Sequence, residues 1–459
     1  MINSFLQKKS AMKKSILLVL FLYSVAISAQ TEAPPSDNSP YSRFGLGDLL
    51  NPNFSANAAM GNLSASFQDP YNLNVSNPAA SCNLISTAYE IGLNAKFTTL
   101  TEKVRSEKAR NGGIGYLALG FPLKNQVNEI FDKRKKSDYR YGMHLGLVPF
   151  TNVGYNTQAT KINDVTGKQT YNYRGTGSSY KLYWGSSIGY KNWSVGLNLG
   201  YLLGRVRSER EILFDDLANN YSTNAAGKII YRGFIWNLGA QYTHDFKKKN
   251  NITGKIEPSD EKIIVGIYGN TATRFNTTSD LFFVRQNFKY NSGVLDTVFQ
   301  ERSNGVKGKG TLPAELSVGI TYQKSAKLRL GINYTASAWG KYANDAQKET
   351  LANTYRLGAG LEYTPDANSY NKYFNRVRYR LGVNLWTDPR VVKTEQLKGK
   401  SASIGFGLPL VMPRQQVSFV NVTLEVGTLG TSILEQSYFK TTVGFTLNDN
   451  SWFYKRRYN

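Results

Sequence analysis

The sequence predicts an all-β fold: a transmembrane antiparallel β-barrel of fourteen strands with a small N-terminal hatch. Three observations predict it. Runs of about ten residues alternate between an apolar and a polar parity, the signature of a strand with two unlike faces. Tyr and Gly are abundant, 30 and 41 of 459 residues, in a chain that is 41% hydrophobic with a mean hydropathy of −0.39. The N-terminus has the form of an export signal. This hydropathy argues against a bundle of membrane helices, which needs repeated apolar runs of about 20 residues. The apolar content excludes wholesale disorder.

The elements follow in chain order. Lys8, Lys9, Lys13 and Lys14 precede an apolar run from Ile16 to Ile27, and Ser28, Ala29 and Gln30 follow it. A basic start, a short apolar core and a small-residue exit read as a secretory signal peptide, residues 1–29. Residues 30–40 form a polar, proline-containing leader. Residues 41–83 are rich in Asn, Ala, Gly and Ser and show no sustained period, so they read as a compact segment of short helices and turns. Alternation begins after Leu84 and continues through the barrel, residues 84–459.

In Trp193–Leu203, one parity holds Trp193, Val195, Leu197, Leu199 and Tyr201, and the other holds Ser194, Gly196, Asn198 and Gly200. Around residue 381, Val377, Tyr379, Leu381, Val383 and Leu385 oppose Arg378, Arg380, Gly382 and Asn384. Tyr and Trp often end the apolar face. That is the pattern of a barrel with an apolar exterior, a polar lumen and aromatic girdles. Only closed barrels satisfy every backbone group in lipid without helices. Strand candidates lie near 84–98, 113–123, 140–156, 179–191, 193–206, 229–246, 262–275, 281–290, 313–323, 327–339, 353–364, 376–386, 402–410, 416–428 and 436–447. The weakest, 281–290, reads as part of a long loop with 291–310, and setting it aside leaves an even fourteen. Arg329, Arg356, Arg378, Arg380, Glu362 and Glu425 share the polar parity of their strands. They are expected to face the lumen as an ion-pair lattice with one another or with the hatch, because Arg on a lipid face costs about 2–4 kcal/mol.

The stretch Ala58-Ala59-Met60-Gly61-Asn62-Leu63 leads to Asn77-Pro78-Ala79-Ala80, and Leu312-Pro313 runs on through Gly319 and Tyr322 to Asn333-Tyr334 and Trp339. On these residues the chain resembles the FadL-type outer-membrane hydrophobic-compound transporters, as a divergent member. The resemblance implies an outer-membrane barrel plugged by its N-terminus, with Met60, Gly61, Asn77, Pro78 and Ala79 as the hatch motif. The acidic pair common in that hatch is reduced here to Asp69. The resemblance implies passive uptake of a hydrophobic small molecule, or, as in the FadL-like subunit of the type IX secretion translocon, a non-transporting subunit of an outer-membrane secretion or assembly complex. It also implies a lateral opening at a kink in the third strand. Pro149 interrupts that strand here, and proline cannot donate to a ladder, so a bulge or break in pairing is expected there.

Other chemistries fit poorly. One Cys excludes an internal disulfide, and two His make a multi-histidine metal centre improbable, so no metal or cofactor is expected. His144 reads as a polar residue facing the lumen and His244 as a loop residue, and neither sits in a catalytic constellation, so the chain reads as a non-enzyme. Gly112-Gly113-Ile114-Gly115 lacks the Lys-Ser/Thr of a phosphate loop and reads as a turn into a strand. The net charge is +24, with basic runs at Lys133–Lys136, Lys247–Lys249 and Lys455–Arg457. Export makes nucleic acid an unsuitable partner. Outer-membrane lipids, a hydrophobic ligand and acidic partner subunits are the partners expected.

Overall fold

A computed structural model describes residues 39–102, 105–124, 137–216, 220–249, 256–289, 294–412 and 416–449. The signal peptide, most of the leader and the basic runs at 133–136 and 455–457 lie outside the described residues. The strands are β1 (Asp48–Leu49), β2 (Thr87–Glu102), β3 (Arg105–Pro122), β4 (Tyr139–Asn163), β5 (Gly167–Tyr190), β6 (Trp193–Phe214), β7 (Asn220–Lys249), β8 (Ile256–Asn270) and β9 (Thr273–Lys289). They continue with β10 (Val294–Leu312), β11 (Glu315–Lys324), β12 (Leu328–Ser337), β13 (Ala343–Asn344), β14 (Thr354–Tyr363), β15 (Arg378–Val392), β16 (Glu395–Met412), β17 (Gln416–Gly430) and β18 (Leu434–Asp449).

Fourteen of these strands close an antiparallel barrel. Sequential hairpins run from β2 to β8. β8 then pairs directly with β11, from Glu315↔Asn270 to Lys324↔Glu261, and β18 returns to β2, from Leu434↔Glu102 to Asp449↔Thr87. The first and last strands thus begin and end at the same end of the barrel, called here the terminal end. β9 and β10 form a hairpin outside the ring that pairs with the first part of β7, Asn220–Arg232. The weak candidate at 281–290 is therefore a strand, but not a wall strand.

Burial is inverted relative to a soluble sheet. Leu381, Val383 and Leu385 of β15 are 52%, 56% and 53% exposed, while Arg380 and Asn384 are buried. On β6, Val195 and Leu199 are exposed, while Ser194 and Asn198 are buried. Apolar side chains face outward and polar ones inward.

Three expectations need correction. β4, β5, β6 and β7 contain 25, 24, 22 and 30 residues, so segments read as loops, such as 157–178, continue as paired strand. At about 3.4 Å per residue they project well past a hydrocarbon core of about 30 Å. Their far portions bury Tyr155, Val206, Ile229 and Tyr231 in one apolar cluster on the inner face, so the apolar-out, polar-in alternation of the span does not continue there. His244 and Lys247–Lys249 belong to β7, where His244 pairs with Ile263, rather than to a loop. Gly112–Gly115 lies inside β3 rather than at a turn, because β3 begins earlier, at Arg105.

Candidate functional site

Residues 39–83 lie inside the ring and touch it all round. Ser55 donates to the Asn421 carbonyl at 3.0 Å, and its own carbonyl accepts from Thr423 at 2.8 Å. Ala65 N–H donates to Asn333 at 2.9 Å, and its carbonyl accepts from Gln241 at 2.9 Å. Asn198 and Asn237 donate to the carbonyls of Val75 and Ser76. Ser81 meets His144 Nδ1 at 2.6 Å on the lumen face of β4. A segment without regular ladders must place its backbone groups somewhere, and here the polar parity of the wall supplies many of the partners.

Glycines in that parity let backbone approach backbone. Met60 and Gly61 end the short helix Ser55–Ala58 and press against β14 and β15. Gly61 has φ +63°, and a Cβ there would lie 2.2 Å from the Ala359 carbonyl oxygen. Cβ atoms on Gly360 and Gly382 would lie 2.2 Å from Met60 O and 2.0 Å from Gly61 N. Both the left-handed conformation and the contact require glycine. Asn77 caps the 3-10 helix Pro78–Asn83, accepting from Ala79 N–H at 3.1 Å, with Pro78 in the first turn and Ala79 fully buried. Its amide also donates to the Ala65 carbonyl at 2.6 Å.

Asp69 sits at the centre of a buried ionic cluster. It pairs with Arg378 at 2.7 Å and Arg329 at 3.4 Å. Arg329 also meets Glu362 at 3.1 Å, and Arg380 meets Glu362 at 2.7 Å and Asn421 at 2.7 Å. Burial works against an ionised Asp69, but Arg378 and Arg329, with Tyr71 N–H and Asn72, outweigh it and hold the carboxyl well below its usual range. The cluster gathers four of the six lumen charges picked from the sequence. Arg356 lies apart, 5.9 Å from the Trp386 ring, and Glu425 accepts from Tyr438 at 2.8 Å, so neither joins the lattice.

A second anchor was not read from the sequence. Arg390 is buried and donates a fork to the Asp388 carboxylate, at 2.6 and 2.7 Å, while its other nitrogen donates to Asp48 of β1. The signal was the Asp388-Pro389-Arg390 break in the alternation of β15, where the pairing with β16 is also irregular.

β1 lies against the kinked third wall strand. The β4–β5 register slips between Pro149 and Thr151, a bulge at a residue that cannot donate. β3 and β4 pair only from Leu117↔Leu147 to Pro122↔Gly142. Beyond Leu147 the two strands part, and β1 occupies the β4 side: Asp48↔Asn152 and Leu49↔Thr151, flanked by bonds from Leu50 N–H to the Phe150 carbonyl and from Ser39 N–H to the Gly154 carbonyl. The segment within the lumen therefore starts in the half opposite the terminal end and runs through to it, rather than entering only from the terminal end. A cavity of about 180 Å³ remains between it and the wall, lined by Pro149, Phe150, Lys181, Glu315, Arg356 and Trp386 among others.

Among solved structures, the chain resembles a Pseudomonas aeruginosa FadL homologue at 12% identity and a TM-score of 0.53, over 86% of this chain and 99% of that one. It resembles the P. putida toluene transporter TodX at 14% identity and a TM-score of 0.52, over 88% and 99%. These likenesses establish the fold. No curated protein matches the sequence. A family model named BamG matches residues 11–459.

Proposed function

The chain belongs to the BamG family, and on that premise we propose that it is an outer-membrane β-barrel acting as a non-transporting subunit of an outer-membrane assembly or secretion complex. The observation that carries this reading is the occupied lumen. Residues 39–83 are tied to the wall by the Asp69 and Arg390 clusters, which fix the segment in place; beside it remain a cavity of about 180 Å³ at Pro149 and one of about 600 Å³ lined by Arg43, Tyr155 and Glu349 among others. The family name favours a complex, and the fold is shared with channels rather than enzymes. In this reading the hatch motif docks the N-terminal segment against glycine-lined wall, and the lumen charges fix it there.

A second reading has its own support. The Pro149 bulge and the parting of β3 from β4 lie beside the residual cavity, so a hydrophobic molecule would have a sideways route to the outer leaflet once β1 withdrew. Purification from native membranes in mild detergent separates the two. A stoichiometric complex is the expected result. An isolated monomer carrying a bound hydrophobic molecule, together with fatty-acid uptake that Pro149→Ala abolishes, would establish the conduit instead.

A further inference from the structure

The cavity of about 600 Å³ is a hollow between the far portions of β4 to β7, the β9–β10 hairpin and residues 42–45 of the N-terminal segment. Register sets its depth, because positions two residues apart on a strand share a face. Val153, Gly177, Val206 and Ile229 lie opposite one another from β4 to β7, and Val153, Val206 and Ile229 are buried with Leu46 as the floor. One step outward the row is Ser208, Gly227, Leu281 and Ser303, and the next is Tyr173, Arg210, Ala225, Phe283 and Glu301. The opposite face at this height carries the ion pairs Arg207–Glu209 at 3.2 Å and Lys228–Asp280 at 3.5 Å, so the hollow stands in water beyond the apolar band. Its lining nevertheless includes Phe44 and Leu281, 39% and 54% exposed. Two banks of opposite charge flank it. The Arg43 guanidinium lies over the Tyr173 ring at 3.7 Å, and Tyr173 is directly opposite Arg210; neither arginine has an ion-pair partner among the described residues. Glu349 is already engaged, accepting from Gly45 N–H and the Gln347 amide. Glu301 is exposed at the other end of the Arg210 row and is likewise without an ion-pair partner among the described residues. Three strand spacings separate Arg210 from Glu301, about 14 Å along the row.

We infer that this hollow is a binding site for an extended segment of a partner polypeptide, with an acidic residue at Arg43 and Arg210, a basic residue at Glu301 and an apolar side chain between them that reaches the floor. The inference rests on the subunit reading above. The volume falls within the range of ligand sites, about 300–1,000 Å³, and the charges choose among occupants. A fatty acid carries one charge, of the sign that suits only the arginine bank. Four residues of extended chain, at about 3.4 Å each, span the distance between the banks and can carry both signs. The small middle row keeps the way to the floor open: a Cβ on Gly227 would lie 3.3 Å from both Leu281 Cδ2 and Ser208 Oγ, so bulk there would close it. Arg43 and Phe44 belong to the N-terminal segment, so the filling of the lumen also builds one side of this site.

The test uses the full chain purified with its partners in mild detergent. Ser208→Cys places a thiol in the middle row, and Cys82 is fully buried, so maleimide labelling reads the hollow. Labelling should be at least tenfold slower in the complex than after the partners are stripped, whereas Lys161→Cys, at an exposed position of β4, should label equally in both states. Arg210→Glu sets an acid where the partner's acid would sit and should recover at least fivefold less complex, while Lys161→Glu should match the wild type. Equal labelling of Ser208→Cys in the two states, or full recovery of the complex with Arg210→Glu, would overturn the inference and leave the subunit reading standing. Slow labelling that persists in the stripped chain would also overturn it, because the chain itself or a retained small molecule would then fill the hollow. A wild type that brings down no complex would overturn both.

Discussion

Asp69 faces two guanidinium groups with one carboxylate, and each partner comes from a different wall strand. Removing one member of a buried pair strands the other, at a cost of about 3–5 kcal/mol. Its carboxyl is held below the range of an unfolded aspartate, near 3.9. That stabilisation is complete above the unfolded value and is lost as the pH falls through the folded one. Protease sensitivity of residues 41–83 in detergent should accordingly stay flat from pH 8 to 5 and rise only below about pH 4. In Asp69→Asn it should be high already at pH 7; a resistant Asp69→Asn would show that the cluster does not hold the segment. Asp69 was legible as one of the two acids of residues 41–83, with Asp48, but its partners were legible only as inward parity. Which arginine reaches it depends on barrel register, which alternation does not fix. Asp48 gave no signal, because nothing local in Gly47-Asp48-Leu49 anticipates an arginine 342 residues away.

At the scale of elements, β1 is the hinge between the two readings of the molecule. Leu49 and Thr151 face each other across the short β1–β4 ladder, and directly opposed strand positions have the spacing a disulfide needs. Leu49→Cys/Thr151→Cys should therefore cross-link on oxidation, seen as a band of altered mobility that reduction reverses. Cys82 is fully buried, and burial raises its thiol, so it should not compete. If β1 is a fixed part of the subunit, the locked protein should assemble as well as the reduced one. Failure to cross-link would mean that β1 does not dwell beside β4. The wall strands were the most legible elements, because a two-residue period with an apolar exterior persists wherever a strand faces lipid on one side. The far portions of β4 to β7 and the β9–β10 hairpin were not, because their buried apolar side chains, such as Val206, Tyr231 and Phe275, lie on the inner face and break the apolar-out pattern of the wall. Pro149 was legible as a break in pairing, but a bulge is a local event, whereas the separation of β3 from β4 is a relation between strands.

At the scale of the whole molecule, the apolar exterior, glycine-lined interior and ionic anchors describe a barrel built around its own N-terminal segment. The inward glycines first read as generic small polar-face residues. For Gly142, Gly196, Gly266, Gly358, Gly360 and Gly382 the cause is the backbone of residues 60–82 pressed against the wall, whereas Gly92, Gly310 and Gly399 make room for the rings of Tyr116, Phe275 and Trp386. A fourteen-stranded barrel without that filling would enclose an aqueous channel, so occlusion is the most direct consequence of the structure. Single-channel recording of the purified chain in planar bilayers measures it, with a variant lacking residues 41–80 as the open reference. The full chain is expected to be electrically silent while the deletion variant passes large, steady currents; steady conductance of the intact chain equal to that of the deletion would contradict the closed barrel.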